Sequence, residues 1–140
     1  MPPSDSFTIA EGLTTVPSHF DPKETTDRVE TAIRERGMNV FARIDHAAGA
    51  SEVGLTLRPT ELIIFGNARG GTPLMQSVQT VGIDLPLKVL VWQDAGSKTW
   101  LSYIEPSWIA QRHRVANAEQ VVNNLAAVLN AIVRTASGAN

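Results

Sequence analysis

The sequence predicts a two-layer α+β sandwich: one mostly antiparallel five-stranded sheet with helices packed on one face, in the order β-α-β-β-α-β-β-α-α. Three observations predict it. Short apolar-rich segments with strand character outnumber helical ones. Two pairs of strands follow each other with no crossover helix between them, which favours antiparallel pairing. The last helical segment carries a broad apolar stripe and needs a sheet or a partner to cover it.

Taken in order, Phe7 to Glu11 reads as a short strand, with Phe7 and Ile9 on one face. Asp21-Pro22-Lys23-Glu24 opens a helix, because Asp21 can cap, Pro22 suits the first turn and Glu24 lies three residues past the cap. Val29, Ala32 and Ile33 continue it at helical spacing, and Gly37 suits its C-terminal end. Asn39 to His46 reads as a strand in which Val40, Ala42, Ile44 and His46 alternate with Phe41, Arg43 and Asp45. Ala47 to Leu55 reads as a loop with a short helical turn. Glu61 to Phe65 has no polar face and reads as a buried strand. Gly66 to Gly71 reads as a flexible loop, with Thr72 as helix cap, Pro73 as first helical residue and Gly82 as the stop. Leu87 to Trp92 and Thr99 to Ile104 form a hairpin across Asp94-Ala95-Gly96-Ser97. Pro106 begins a short helix to His113. Asn117 caps the last helix, about 118–136, with Gln120 at the capping-box position. The tail from Ser137 to Asn140 is expected to fray.

The 140 residues fit one domain, 1–140, with 43% apolar and 19% charged residues, enough for a core and too apolar for disorder. Twelve basic residues against fourteen acidic ones give a net charge of −2 and no electrostatic case for nucleic acid. The lack of cysteine excludes disulfides, thiolate catalysis and Cys-based metal sites. His19, His46 and His113 show no helical His-x-x-x-His pair, so no metal site is expected. No apolar run approaches the roughly 20 residues of a membrane helix. Met1-Pro2-Pro3-Ser4 does not read as a signal peptide, and a cytoplasmic location is the expectation.

Several motifs recur in order from residue 40 to 103. They are Val40-Phe41-Ala42-Arg43-Ile44-Asp45-His46-Ala47-Ala48-Gly49-Ala50, Leu57-Arg58-Pro59-Thr60, Ile64-Phe65-Gly66-Asn67, Gly71-Thr72-Pro73-Leu74-Met75-Gln76, Gly82-Ile83-Asp84-Leu85-Pro86-Leu87-Lys88 and Val91-Trp92. This set resembles the domain-of-unknown-function family numbered 302. The resemblance implies an α+β domain, commonly dimeric, with no established activity. Asn67-Ala68-Arg69 departs from the family's Asn-Pro-Lys.

Three constellations can carry chemistry. Gly66 to Met75 offers a Gly-rich loop and a helix start, with Asn67, Arg69, Gly71, Thr72 and Met75 as candidate ligand contacts for a small molecule or anion. It is neither a P-loop nor a dinucleotide fingerprint. His46, at a strand end, is the candidate acid or base. Asp45 is its chain neighbour and points to the other face, so the two form no dyad. Arg58 can make a structural ion pair with Asp84 or Glu61, or bind a carboxylate ligand. Trp92, Trp100 and Trp108 suit a core or a dimer interface. The cofactor is not specified by any motif. Three readings stay open: a homodimeric small-molecule or anion binder with a pocket joining the loop to His46, an enzyme using His46 as general acid or base with Asp84 or Arg58, and an interaction module without catalysis.

Overall fold

Residues 10–139 are described in a computed structural model. Five strands, β1 (Leu13–Pro17), β2 (Asn39–Asp45), β3 (Thr60–Gly66), β4 (Leu87–Gln93) and β5 (Thr99–Ile104), form one sheet in the order β1-β5-β4-β3-β2. Every pairing is antiparallel. Five helices accompany it: α1 (Pro22–Glu35), α2 (His46–Glu52), α3 (Ala68–Ser77), α4 (Pro106–Arg112) and α5 (Glu119–Ser137). A short 3-10 helix, Gln79–Ile83, links α3 to β4. The α+β architecture predicted from the sequence is therefore present.

Local chemistry explains the boundaries. Asp21 Oδ1 accepts from the Glu24 amide at 2.7 Å, and Pro22 occupies the first turn of α1. After α1, Gly37 takes φ +74°, a left-handed conformation that glycine adopts without strain. In the β4–β5 hairpin, Asp94 Oδ1 accepts from the amides of Gly96 and Lys98 at 2.9 Å.

The core lies between one sheet face and the helices. Ile63, Phe65, Val89, Val91 and Leu101 meet Val29 and Ile33 of α1 and Leu129, Ile132 and Val133 of α5. The C-terminal carbonyls of α5 are held by α1 and the chain before it. His19 N–H donates to Ser137 O at 2.9 Å, and Arg28 donates to Thr135 O and Ala136 O.

The opposite face is different. Strand alternation places Ile44, Leu62, Ile64, Leu90, Trp92 and Trp100 there, and none of them belongs to the helix-packed core. Trp92 and Trp100 stack with ring centroids 6.2 Å apart, and Trp92 Nε1 donates to Ser102 Oγ.

Several local expectations are corrected. The strand expected at Phe7 to Glu11 falls largely on residues 1–9, outside the described residues; Ala10 and Glu11 precede β1, which starts at Leu13. A β-bulge between Val40 and Ala42 breaks the simple alternation of β2. Val40 therefore packs on the core while Ala42 and Ile44 face the other way. The last helix is not capped by Asn117, which sits at φ +57°, and Gln120 bonds Asn124 instead of closing a capping box. Ser137 is buried inside α5 rather than frayed.

Candidate functional site

The loop after β3 behaves differently from its expected form. Asn67, not Thr72, caps α3: its Oδ1 accepts from the Gly70 amide at 2.8 Å. Ala68 is the first helical residue and Pro73 lies inside the helix. Thr72 is exposed on the second turn, so the amides from Thr72 to Met75 are not a free anion cradle. The signal was present in the motif. An Asn followed by the family's proline position is an N-cap followed by N1, where proline is favoured. Reading Gly70-Gly71 as loop residues hid it.

The early start of α3 creates a cavity at this end of the sheet, about 420 Å³ in volume. Its floor is Phe41, Gly66 and Leu87; Met38 adds to it from the segment before β2. Ala68, Gly70, Gly71 and Met75 of α3 make one wall. Gly82, Leu85 and Pro86 make the second, and Asn124, Leu125 and Val128 of α5 the third. The bulge in β2 sets Phe41, 55% exposed, at its edge. Two glycines keep the walls close: a Cβ on Gly71 would stand 3.2 Å from Leu85 Cδ1, and one on Gly82 3.3 Å from Met75 Sδ. Asn67 and Asn124 are the only polar side chains in the lining.

Of the expected contacts, Asn67, Gly71 and Met75 line this cavity, whereas Thr72 and Arg69 are exposed and outside the lining. His46 is elsewhere. The register pairs Asn39 with Gly66 and Asp45 with Glu61, so His46 and Asn67 lie at opposite ends of the β2–β3 pair, about 20 Å apart along the strands. Among the described residues, the cavity that Asn67 lines does not include His46. His46 is the exposed first residue of α2, and it meets neither Asp84 nor the cavity.

Arg58 is exposed just before β3. The two acids considered as its partners are engaged by other cations. Glu61 accepts from Arg43 Nε at 2.9 Å, and Arg43 also reaches Glu30 at 3.1 Å and Asp27 at 3.0 Å. Those hydrogen bonds hold the Arg43 guanidinium firmly protonated; Arg43 likewise holds the Asp27 carboxyl low, and Arg34 and Arg43 together hold that of Glu30 low. Asp84 accepts from Arg112 Nη1 at 2.8 Å and lies 2.6 Å from His113 Nε2. Burial pushes the Asp84 carboxyl up, but the hydrogen bond from His113 and the charge of Arg112 outweigh it, and the net shift is downward. Nearby, burial lowers the Lys88 ammonium, which donates to the carbonyls of Asp84 and Pro86. His113 and Arg112 were missed by sequence reasoning, because they lie 29 and 28 residues from Asp84 with no motif linking them.

Fold and cavity together define an α+β sandwich domain with an apolar pocket at one end of its sheet. The family model for a domain of unknown function, DUF302, matches residues 14–132, and the chain belongs to that family. The fold of an uncharacterized conserved DUF302 protein from Bacillus stearothermophilus is similar, with a TM-score of 0.81 at 20% identity, covering 91% of this chain and 99% of that one. Among curated proteins, fluoride-specific ion channel FluC 1 of Brucella suis is 50% identical over 120 residues, which is 86% of this chain and 47% of that protein. FluC 1 of Brucella abortus and FluC 2 of Brucella melitensis match at the same identity over 44% of their length. The chain thus spans about half the length of these relatives. No helix among the described residues is long and apolar enough to cross a membrane.

Proposed function

We propose that this domain binds a small, predominantly apolar molecule in the cavity beside α3. The observation that carries the reading is the lining itself: methionine, phenylalanine, leucine, valine, proline and glycine on all walls, with two asparagines. The volume falls in the range of small-molecule sites, which combine an apolar body with few placed polar groups. Asn67 and Asn124 suit one hydrogen-bonding head group. The anion reading narrows accordingly to a ligand whose polar end meets these amides.

The test is a thermal-shift series with medium-chain fatty acids, aromatic carboxylates, their neutral amides and inorganic phosphate. Binding to the folded state alone raises the melting temperature. Apolar members should stabilise the protein, and phosphate alone should not. Met75→Trp, which fills the cavity, should abolish the shift while leaving the protein folded. Equal shifts in that variant would refute the site.

A homodimer is the second reading, favoured by the apolar sheet face opposite the helices. Contiguous apolar surface of this kind marks interaction sites. The Brucella names point instead to fluoride conduction. A channel must cross a membrane, so in this reading the channel activity belongs to the half of those proteins outside the match. The matched half is then a ligand-binding accessory domain, here placed in the cytoplasm.

A further inference from the structure

We propose that Thr80, His113 and Asp84 form a hydroxyl–imidazole–carboxylate relay that makes Thr80 an acyl-accepting nucleophile toward activated esters. The inference does not rest on the cavity reading, since neither Thr80 nor His113 lines that cavity.

The geometry is a line of two hydrogen bonds. His113 Nε2 lies 2.6 Å from Asp84 Oδ2, and His113 Nδ1 lies 2.9 Å from Thr80 Oγ1. Asp84 is fixed by both Arg112 contacts, 2.8 and 2.9 Å, so it is an ionised acceptor. A carboxylate at Nε2 requires the proton on that nitrogen. In the neutral imidazole Nδ1 is then a bare lone pair, and it faces the Thr80 hydroxyl. Thr80 therefore donates, and the imidazole is the base. The two relay partners are shielded, with His113 at 9% and Asp84 at 13% side-chain exposure, while Thr80 is exposed to solvent. A sheltered base behind an accessible hydroxyl is the arrangement that nucleophilic catalysis needs. Asp84 touches no substrate and is a positioning residue. Arg112 positions Asp84 in turn, its guanidinium lying 5.7 Å from the Trp108 ring centroid.

In the first step Thr80 Oγ1 bonds to the ester carbonyl carbon and its proton moves to Nδ1. The bond from that carbon to the leaving oxygen then breaks, and the leaving group departs with the proton from Nδ1. In the second step water attacks the threonyl ester, Nδ1 takes the water proton, and the bond to Oγ1 breaks as that proton returns to it. The products are a carboxylic acid and an alcohol or phenol.

The experiment incubates the full chain with p-nitrophenyl acetate, follows p-nitrophenol release, and locates acetyl groups by peptide mass spectrometry. The expected result is acetylation of Thr80. Release should fall on the order of 10²-fold in Thr80→Val and His113→Gln and persist in Thr80→Ser. In Asp84→Asn, nitrogen NMR should show His113 losing its single Nε2–H tautomer together with the rate. Acetyl groups confined to lysines, with release unchanged in a Thr80→Val protein of normal melting temperature, would overturn the proposal. So would unchanged release in folded His113→Gln.

Discussion

Arg43 shows how one side chain can join two layers. It stands on β2, yet its guanidinium reaches Asp27 and Glu30 on α1 and Glu61 on β3. Replacing it with methionine keeps the aliphatic stem and leaves three carboxylates facing one another. We expect Arg43→Met to lose about 1.5–3 kcal/mol at pH 7, the usual worth of hydrogen bonds to a charged group. Because Asp27 and Glu30 titrate below their ordinary values in the fold, this stability is present above their unfolded pKa and is lost as pH falls through the folded one. Urea melts from pH 7 down to about 3 should therefore show the gap between wild type and variant closing below about pH 4. Gly12 is a second sensitive residue. It has φ +77°, and a Cβ there would run into Trp108 Cγ of the indole ring. Gly12→Ala should cost about 2–4 kcal/mol through strain and displacement of that ring. A variant melting within 2 kcal/mol of wild type would show that Trp108 moves aside freely.

At the scale of elements, α2 and α3 have the same kind of cap and different dependence on it. Asp45 Oδ1 accepts from the Ala48 amide at 2.9 Å, as Asn67 does from Gly70. However, α2 buries no residue, whereas α3 buries Leu74 in the core. Removing a cap costs about 1 kcal/mol of helix stability. Asn67→Ala should therefore lower the global melting temperature. Asp45→Ala should leave it nearly unchanged and instead speed amide exchange in residues 46–52. The same two helices show what the sequence made legible. Caps next to a proline at N1 were readable, as at Asp21 and Pro22, and so were strands with unbroken apolar runs. Asn67 was obscured because Ala68 replaces the expected proline and two glycines follow. The bulge at Phe41 was unreadable, since one extra residue leaves no mark in composition. The cavity was only partly legible because its walls come from four separate segments. The His113–Asp84 pair depends on α4 returning to the loop before β4, which no local spacing encodes.

For the whole molecule, helices pack on one side of the sheet only among the described residues, and on the other side Trp100 is buried while Ile44 stays open. Leu62, Ile64, Leu90 and Trp92 lie beside Ile44, itself 40% exposed, on that side. If two copies pair through this face, Leu90→Glu should convert a dimer to a monomer in light scattering behind gel filtration, because a carboxylate would be buried without a partner. The stability of that monomer should stay close to that of the protomer, since Leu90 is outside the helix-packed core. A wild type that runs as a monomer at high micromolar concentration would refute the pairing.

The clasp between the segment leading into α1 and the C-terminal end of α5 has a kinetic consequence. Residue 19 hydrogen-bonds residue 137, and α1 packs on α5. Val29 and Ile33 thus wait for α5, the last of the domain's described elements to be made. A ribosome adding about 5–20 residues per second holds the first four strands and α1 with their shared apolar face uncovered for several seconds. During that interval the nascent chain has the surface of a chaperone client, and its burial is completed only when α5 docks.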